Sequence, residues 1–302
     1  MIRISIFILA FRIATQFSGN MNTTDTKEPG DAVLSFGLIA DVQYCDCKSQ
    51  GSRHFGKSLN KLSEAIDDFN DSNIDFIINL GDLIEEDFRS FQAVMEILEK
   101  SDKKIFHLPG NHDYSVKRKH KKEVNTILTG ENTYYSFSSK GFRFIALNSC
   151  EISTYSGSFL SELKANTMLA RLQRDSQPNA YEWNGALSRR QVKWFESELT
   201  EADSKNEHVL IFSHHTVEPA GTHNIYNREE ILEIISGHDN IIAWFSGHNH
   251  SGGYSNYRDI HFITLKAMVE TPDSNSWALV EIYNDMLRIN GRGREESRVL
   301  TY

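Results

Sequence analysis

From residue 34 onward, short apolar runs alternate with amphipathic stretches. The runs at 34–40, 75–80, 105–108, 142–147, 209–212, 241–245, 261–265 and 278–282 read as β-strands. Several are rich in β-branched residues and apolar throughout, as strands covered on both faces must be. Between them, Leu59, Leu62, Ile66 and Phe69 recur at helical spacing, which predicts an amphipathic helix over 57–71. Ser188 precedes Gln191 by three positions, just ahead of Val192, Phe195 and Leu199, so a capping box is expected to open a second helix. Strands alternating with helices predict an α/β layered fold. Residues 151–184 break the alternation. They are polar, carry one helical patch near 163–172, and read as an insertion over a working face.

Composition narrows this picture. Of 302 residues, 39% are hydrophobic, enough to bury one large core, and no linker divides the chain. A single domain over 32–302 is therefore expected, preceded by a leader or disordered segment over 1–31. In that segment Arg3 precedes an apolar run, residues 4–11, which Arg12 interrupts. The run is far short of the roughly 20 residues that span a bilayer. The net charge of −9 argues against a nucleic-acid footprint, which would want a basic face. It leaves phosphate-bearing small molecules open, because a bound cation reverses the local field. The three cysteines, Cys45, Cys47 and Cys150, show no framework spacing. Cys45 and Cys47 are too near in sequence for an ordinary structural disulfide, so free thiols and a cytoplasmic location are expected. An organellar or secreted location is the alternative if residues 1–20 act as a leader. No membrane partner is expected, and the protein is expected to be a monomer.

The chemistry lies where the strands end. The first predicted strand runs into Asp41-Val42-Gln43, the second into Gly81-Asp82, and the third into Gly110-Asn111-His112-Asp113. Later strands end in His214-His215 and in Gly247-His248-Asn249-His250. Loops at the same ends of strands in a layered α/β fold converge on one crevice. Any one of these pieces is a weak signal, whereas the ordered set, each after a strand, is a strong one. Carboxylate, amide oxygen and imidazole without thiolate suit Mn, Fe, Co or Zn better than Ca. Two such ions about 3.5–4 Å apart can clamp a phosphate and activate water at neutral pH.

These motifs in this order resemble the signature of the calcineurin-like metallophosphoesterases. Within that superfamily the chain is similar to the manganese-dependent ADP-ribose/CDP-alcohol diphosphatases, from about residue 34 to the C-terminus. The finer resemblance rests on Gln43 where histidine is usual, on residues 247–254, on Val269-Glu270-Thr271, and on Gly291-Arg292-Gly293-Arg294. It implies a four-layer αββα sandwich holding two divalent ions, with Mn most suited to activity and Zn or Fe as alternatives. One ion would take Asp41, Gln43 and His250, the other Asn111, His214 and His248, and Asp82 would bridge them. Gln43 either binds weakly or holds a coordinated water. His112 would contact the phosphate or assist the leaving group. The resemblance places the later ligand at His214 and not at His215. The implied substrate is a small nucleoside diphosphate such as ADP-ribose or CDP-choline, cleaved to a nucleoside monophosphate. Residues 151–183 and 214–228 are shorter than in that family, which leaves the preference among such diphosphates open.

The competing readings differ at identifiable positions. A protein phosphatase of this superfamily would carry Asp-Arg-Gly after Gly-Asp, where Leu83, Ile84 and Glu85 stand. A purple acid phosphatase would place tyrosine at Glu85, and a cyclic-nucleotide phosphodiesterase would have histidine at Gln43. A non-catalytic scaffold of the same fold would have lost ligands, and nearly all are present.

Overall fold

The computed structural model describes residues 30–302, and the expected leader lies outside them apart from its last two residues. In chain order the strands are β1 (Leu34–Ile39), β2 (Phe76–Asn79), β3 (Lys104–His107), β4 (Tyr135–Ser139), β5 (Phe142–Ala146), β6 (Ile152–Ser153) and β7 (Gly185–Ala186). They continue as β8 (His208–Phe212), β9 (Ile241–Ser246), β10 (Ser251–Tyr257), β11 (Ile260–Lys266), β12 (Ser276–Ile282), β13 (Met286–Gly293) and β14 (Arg298–Thr301). The helices are α1 (Ser58–Asp71), α2 (Ser90–Leu98), α3 (Lys121–Leu128), α4 (Phe159–Arg174), α5 (Arg189–Lys205) and α6 (Arg228–Ile235). One six-stranded sheet has the order β14-β13-β12-β1-β2-β3, and a second has the order β10-β11-β9-β8-β5-β4.

The two sheets face each other across a core rich in phenylalanine. Phe36 is fully buried, with its ring centroid 5.5–6.0 Å from those of Phe76, Phe144, Phe212 and Phe245. Strand residues of opposite parity point outward. Ile39, Ile77 and Leu279 pack beneath Leu62, Ile66 and Phe69 of α1 and Val94 of α2. On the far side Ile145, Ile211 and Trp244 pack beneath Val192, Phe195 and Leu199 of α5 and Ile231 of α6. The result is the expected αββα sandwich.

Strand direction decides where the site lies. β1, β2 and β3 run parallel to one another, and so do β5, β8, β9 and β11. The loops following the strands of each set therefore emerge at a common edge. Backbone hydrogen bonds tie these loops together: Gln43 donates to the Asp82 carbonyl (2.8 Å), Gly247 to that of His214 (3.0 Å), and Val269 to that of Asp41 (3.0 Å).

The sequence pattern missed β4, β10, β13 and β14, along with α2, α3 and α6. The four strands lie at or near sheet edges, where half-exposed residues replace a continuous apolar run. The capping box is half formed. Ser188 accepts from the Gln191 N–H (3.2 Å), but the Gln191 amide turns away to the backbone of Asn148. Glu151 takes its place at the Ser188 N–H (3.2 Å). Cys45 and Cys47, expected as free thiols, are joined in a disulfide. The turn at Asp46 brings their Cα atoms to 5.3 Å, within bridging range, so sequence proximity does not forbid the pair. Among the described residues no helix is long and apolar enough to cross a membrane.

Phe36→Ala should cost about 3–5 kcal/mol of stability by opening a cavity between the sheets. Urea unfolding of the two proteins measures this, and a loss below about 1 kcal/mol would show that the contact does not hold the sheets together.

Candidate metal centre

All seven candidate ligands and His112 gather at the common edge of the two sheets. Asp41, Gln43, Asp82 and His214 are completely buried, and Asn111 and His248 nearly so. The local backbone is unusual. Asp41, Gln43, Asp82 and His248 all have positive φ (53°, 45°, 59° and 66°), a conformation non-glycine residues adopt at a cost. It turns their side chains inward from the strand ends. The neighbouring glycines make room: a Cβ on Gly247 would lie 2.7 Å from Asp41 Oδ2, and one on Gly110 would collide with the Asp82 carboxylate.

Two groups of contacts meet at Asp82. His214 Nε2 lies 3.0 Å from Asn111 Oδ1 and 3.2 Å from Asp82 Oδ2. Its other nitrogen, Nδ1, donates to the Leu80 carbonyl (2.9 Å), which turns Nε2 toward those two oxygens. On the other side the Gln43 amide donates to Asp82 Oδ2 (3.2 Å) and to His250 Nε2 (3.1 Å), which is also 3.7 Å from Asp41 Oδ1. His250 Nδ1 faces Glu270 Oε1 at 2.7 Å, so the carboxylate sets its tautomer. Donor atoms of Asp82, His214 and His248 all lie within 4.8 Å of one another.

Electrostatics follow from burial and these pairings. Burial pushes the Asp82 carboxyl up, but the His214 and His112 imidazoles outweigh it and hold the group well below the usual range. Burial raises Asp41 against the pull of His250 and His214. His214 is pushed up to about 9: desolvation acts downward, and the Asp82 carboxylate more than offsets it. His112 also titrates above its ordinary value, because Asp82 and Glu85 overcome its desolvation. Glu85 Oε2 stands 2.6 Å from His112 Nδ1.

The donor set fits divalent cations. His214 Nε2 stands among Asn111 and Asp82 oxygens, a convergence that a proton satisfies and a divalent cation would satisfy in its place, and Gln43 Oε1 is buried with no hydrogen-bond partner. Above the centre opens a cavity of about 440 Å³, whose walls include Arg53, His112, Trp183, His223 and His250.

Several participants were not singled out in the sequence. Asp113 accepts the N–H groups of Asp82 (2.9 Å), Leu83 (2.9 Å), Ile84 (3.2 Å) and Gly110 (2.9 Å), clamping two ligand loops to each other. Burial and the Asp82 charge push its carboxyl up to about 7 against those donors. Its place in Gly-Asn-His-Asp was the available signal. Asn184 lies 3.0 Å from His248 Nε2, and nothing in its sequence context marks it. His215 is fully buried, bound to Ser149 Oγ (2.8 Å) and the Trp183 carbonyl (3.1 Å), and stands outside the ligand cluster.

A family model described as calcineurin-like phosphoesterase matches residues 34–252. The chain belongs to this family. Calcineurin-like relatives include the manganese-dependent ADP-ribose/CDP-alcohol diphosphatase of Homo sapiens, 28% identical over 93% of this chain and 96% of that protein. The enzyme of the same name from Arabidopsis thaliana is 26% identical over 88% of this chain and 96% of its own length. Among solved structures, a dimetal phosphatase from Danio rerio superposes with a TM-score of 0.82 at 27% identity, covering 90% of this calcineurin-like chain and all of the other.

Asp113→Ala should leave four buried N–H groups without an acceptor and destabilise the protein by at least about 3 kcal/mol. Urea midpoints in excess chelator read the effect free of any bound metal. A midpoint equal to wild type would remove the clamp from Asp113.

Proposed function

We propose that this chain is a two-metal phosphohydrolase that cleaves the diphosphate of nucleoside diphosphate-linked alcohols or sugars, such as ADP-ribose and CDP-choline, to a nucleoside monophosphate. The observation that carries the proposal is the position of Asp82, whose carboxylate touches one member of each ligand group, Gln43 on one side and His214 on the other. In this reading Asp41, Gln43 and His250 hold one ion, Asn111, His214 and His248 hold the second, and Asp82 serves both. Mn is the preferred activator, with Zn or Fe as alternatives. The borderline-hard donor set supports this choice, and so do the names of the human and plant relatives.

Such ions, when bound, supply Lewis-acid polarisation and make water nucleophilic at neutral pH. The chain's own residues do the rest. His112 lines the cavity, and Glu85 at its Nδ1 favours the protonated ring, suited to neutralising a phosphoryl oxygen or giving its proton to the leaving oxygen. Glu270 orients His250, and Asp113 holds Asp82 and Asn111 in register. The small cavity supports a compact substrate over a phosphoprotein or nucleic acid.

Asp82→Ala is expected to abolish turnover and empty the centre, measured by kinetics and metal analysis on the same preparation. Near-wild-type rates would end its shared role. A panel of ADP-ribose, CDP-choline, cyclic AMP and p-nitrophenyl phosphate with Mn tests the substrate class. The anhydrides should lead in kcat/KM by at least about tenfold, a difference of about 1.4 kcal/mol in transition-state stabilisation. A panel led by cyclic AMP or the monoester would replace the diphosphatase reading with one of those activities.

A further inference from the structure

Two aromatic side chains, Trp183 in the wall of the cavity and Tyr181 stacked beside it, are left half in water. Tyr181 and Trp183 are 40% and 42% exposed, and their rings stack on each other at 4.3 Å with 11° between planes. Both belong to the insertion, whose three successive carbonyls are pinned to the body of the protein. The Tyr181 carbonyl accepts from the Tyr226 hydroxyl (2.8 Å), that of Glu182 from Thr154 Oγ1 (3.0 Å), and that of Trp183 from His215 Nε2 (3.1 Å). The backbone is therefore fixed while the rings stay available. Asn184, the next residue, is completely buried, and its amide meets His248 while also bonding the carbonyls of Asn179 and Thr222. A single turn of chain thus joins the candidate metal centre to an exposed aromatic face on the same cavity.

Leaving that much apolar area in water lowers stability, and a ring pair held rigid beforehand loses little further entropy when something stacks on it. The flat faces of nucleobases suit such a surface. We propose that Trp183, backed by Tyr181, is the platform on which the substrate's base stacks while its phosphates lie over the metal centre. This rests on the nucleoside diphosphate reading above and adds the residues that recognise the nucleoside. The buried His215 then has a task as well: it fixes the height of Trp183 from beneath. Because stacking tolerates any base, the site should accept purine and pyrimidine nucleosides alike, and should discriminate strongly only against substrates with no base.

The test compares kcat/KM for a nucleoside diphosphate-linked substrate with that for a base-free dialkyl diphosphate, in the wild type, Trp183→Ala and Trp183→Phe. The ratio should fall at least tenfold in Trp183→Ala and largely recover in Trp183→Phe. An unchanged ratio in Trp183→Ala overturns the platform. A second measurement does not depend on turnover: titration with AMP or CMP should quench tryptophan fluorescence in the wild type, and Trp183→Phe should lose that quenching. Quenching that persists in Trp183→Phe would also overturn the platform. A wild type that binds AMP through Trp183 but cleaves no anhydride would refute the diphosphatase reading and leave the platform standing.

Discussion

Asp41, Asp82 and Asp113 are buried to zero exposure at one end of the two sheets, and among the described residues no lysine or arginine pairs with them. An ionised carboxylate taken out of water without a partner costs several kcal/mol, so such a cluster persists only where other groups replace the lost hydration. Here the replacements are backbone N–H groups and imidazoles. Asp113 takes four N–H donors, Asp82 one from His112 (2.7 Å), and Asp41 one from His248 (3.1 Å). His214 and His250 stand against Asp82 and Asp41. These donors come from loops after β2, β3 and β9, so the carboxylates fasten those loops together. Bound divalent cations would complete the neutralisation, which gives the site a physical reason to bind them.

That electrostatic arrangement demands unfavourable backbone. Four of the seven candidate ligands sit at positive φ, each at a cost of about 1–3 kcal/mol, and the surrounding framework must hold them there. The framework is the stack of two sheets closed on the Phe36 cluster, with helices packed on both outer faces. Lys61 adds a local brace. Its ammonium donates to the carbonyls of Met268 (2.8 Å), Glu270 (2.8 Å) and Thr271 (2.6 Å), fixing the segment that presents Glu270 to His250. Stability spent on strained ligand turns is recovered in an apolar core some strand lengths away.

The centre and its rim have different origins in the chain. The candidate ligands stand at ends of core strands, where the family resemblance is densest. Trp183, Asn184 and His223 come from the insertion and from the loop following His214. Chemistry built on strands and selectivity built on loops is a common division, since loops change without disturbing a core.

Much of this was legible in the linear pattern. Continuous apolar runs marked the buried parallel strands, because only a strand covered on both faces can be apolar at every position. Polar residues at the ends of those runs marked the candidate ligands, because parallel strands deliver their following loops to one edge. Edge strands such as β10 and β14 escaped because one face meets solvent and the run is broken. The disulfide of Cys45 and Cys47 escaped because a turn, and not sequence distance, sets the gap between them. Asn184 could be named only in three dimensions, because its role is a hydrogen bond to a residue 64 positions away. Asp113 stands in the Gly-Asn-His-Asp motif, but its clamp, made with residues 29–31 positions away, shows only in the fold. The sequence by itself determined the layers, the metal-capable donors and their order. Tertiary structure alone decided which donors share Asp82, which carboxylate clamps the loops, and which rings face the cavity, because those depend on how two sheets and their loops meet and not on spacing along one chain.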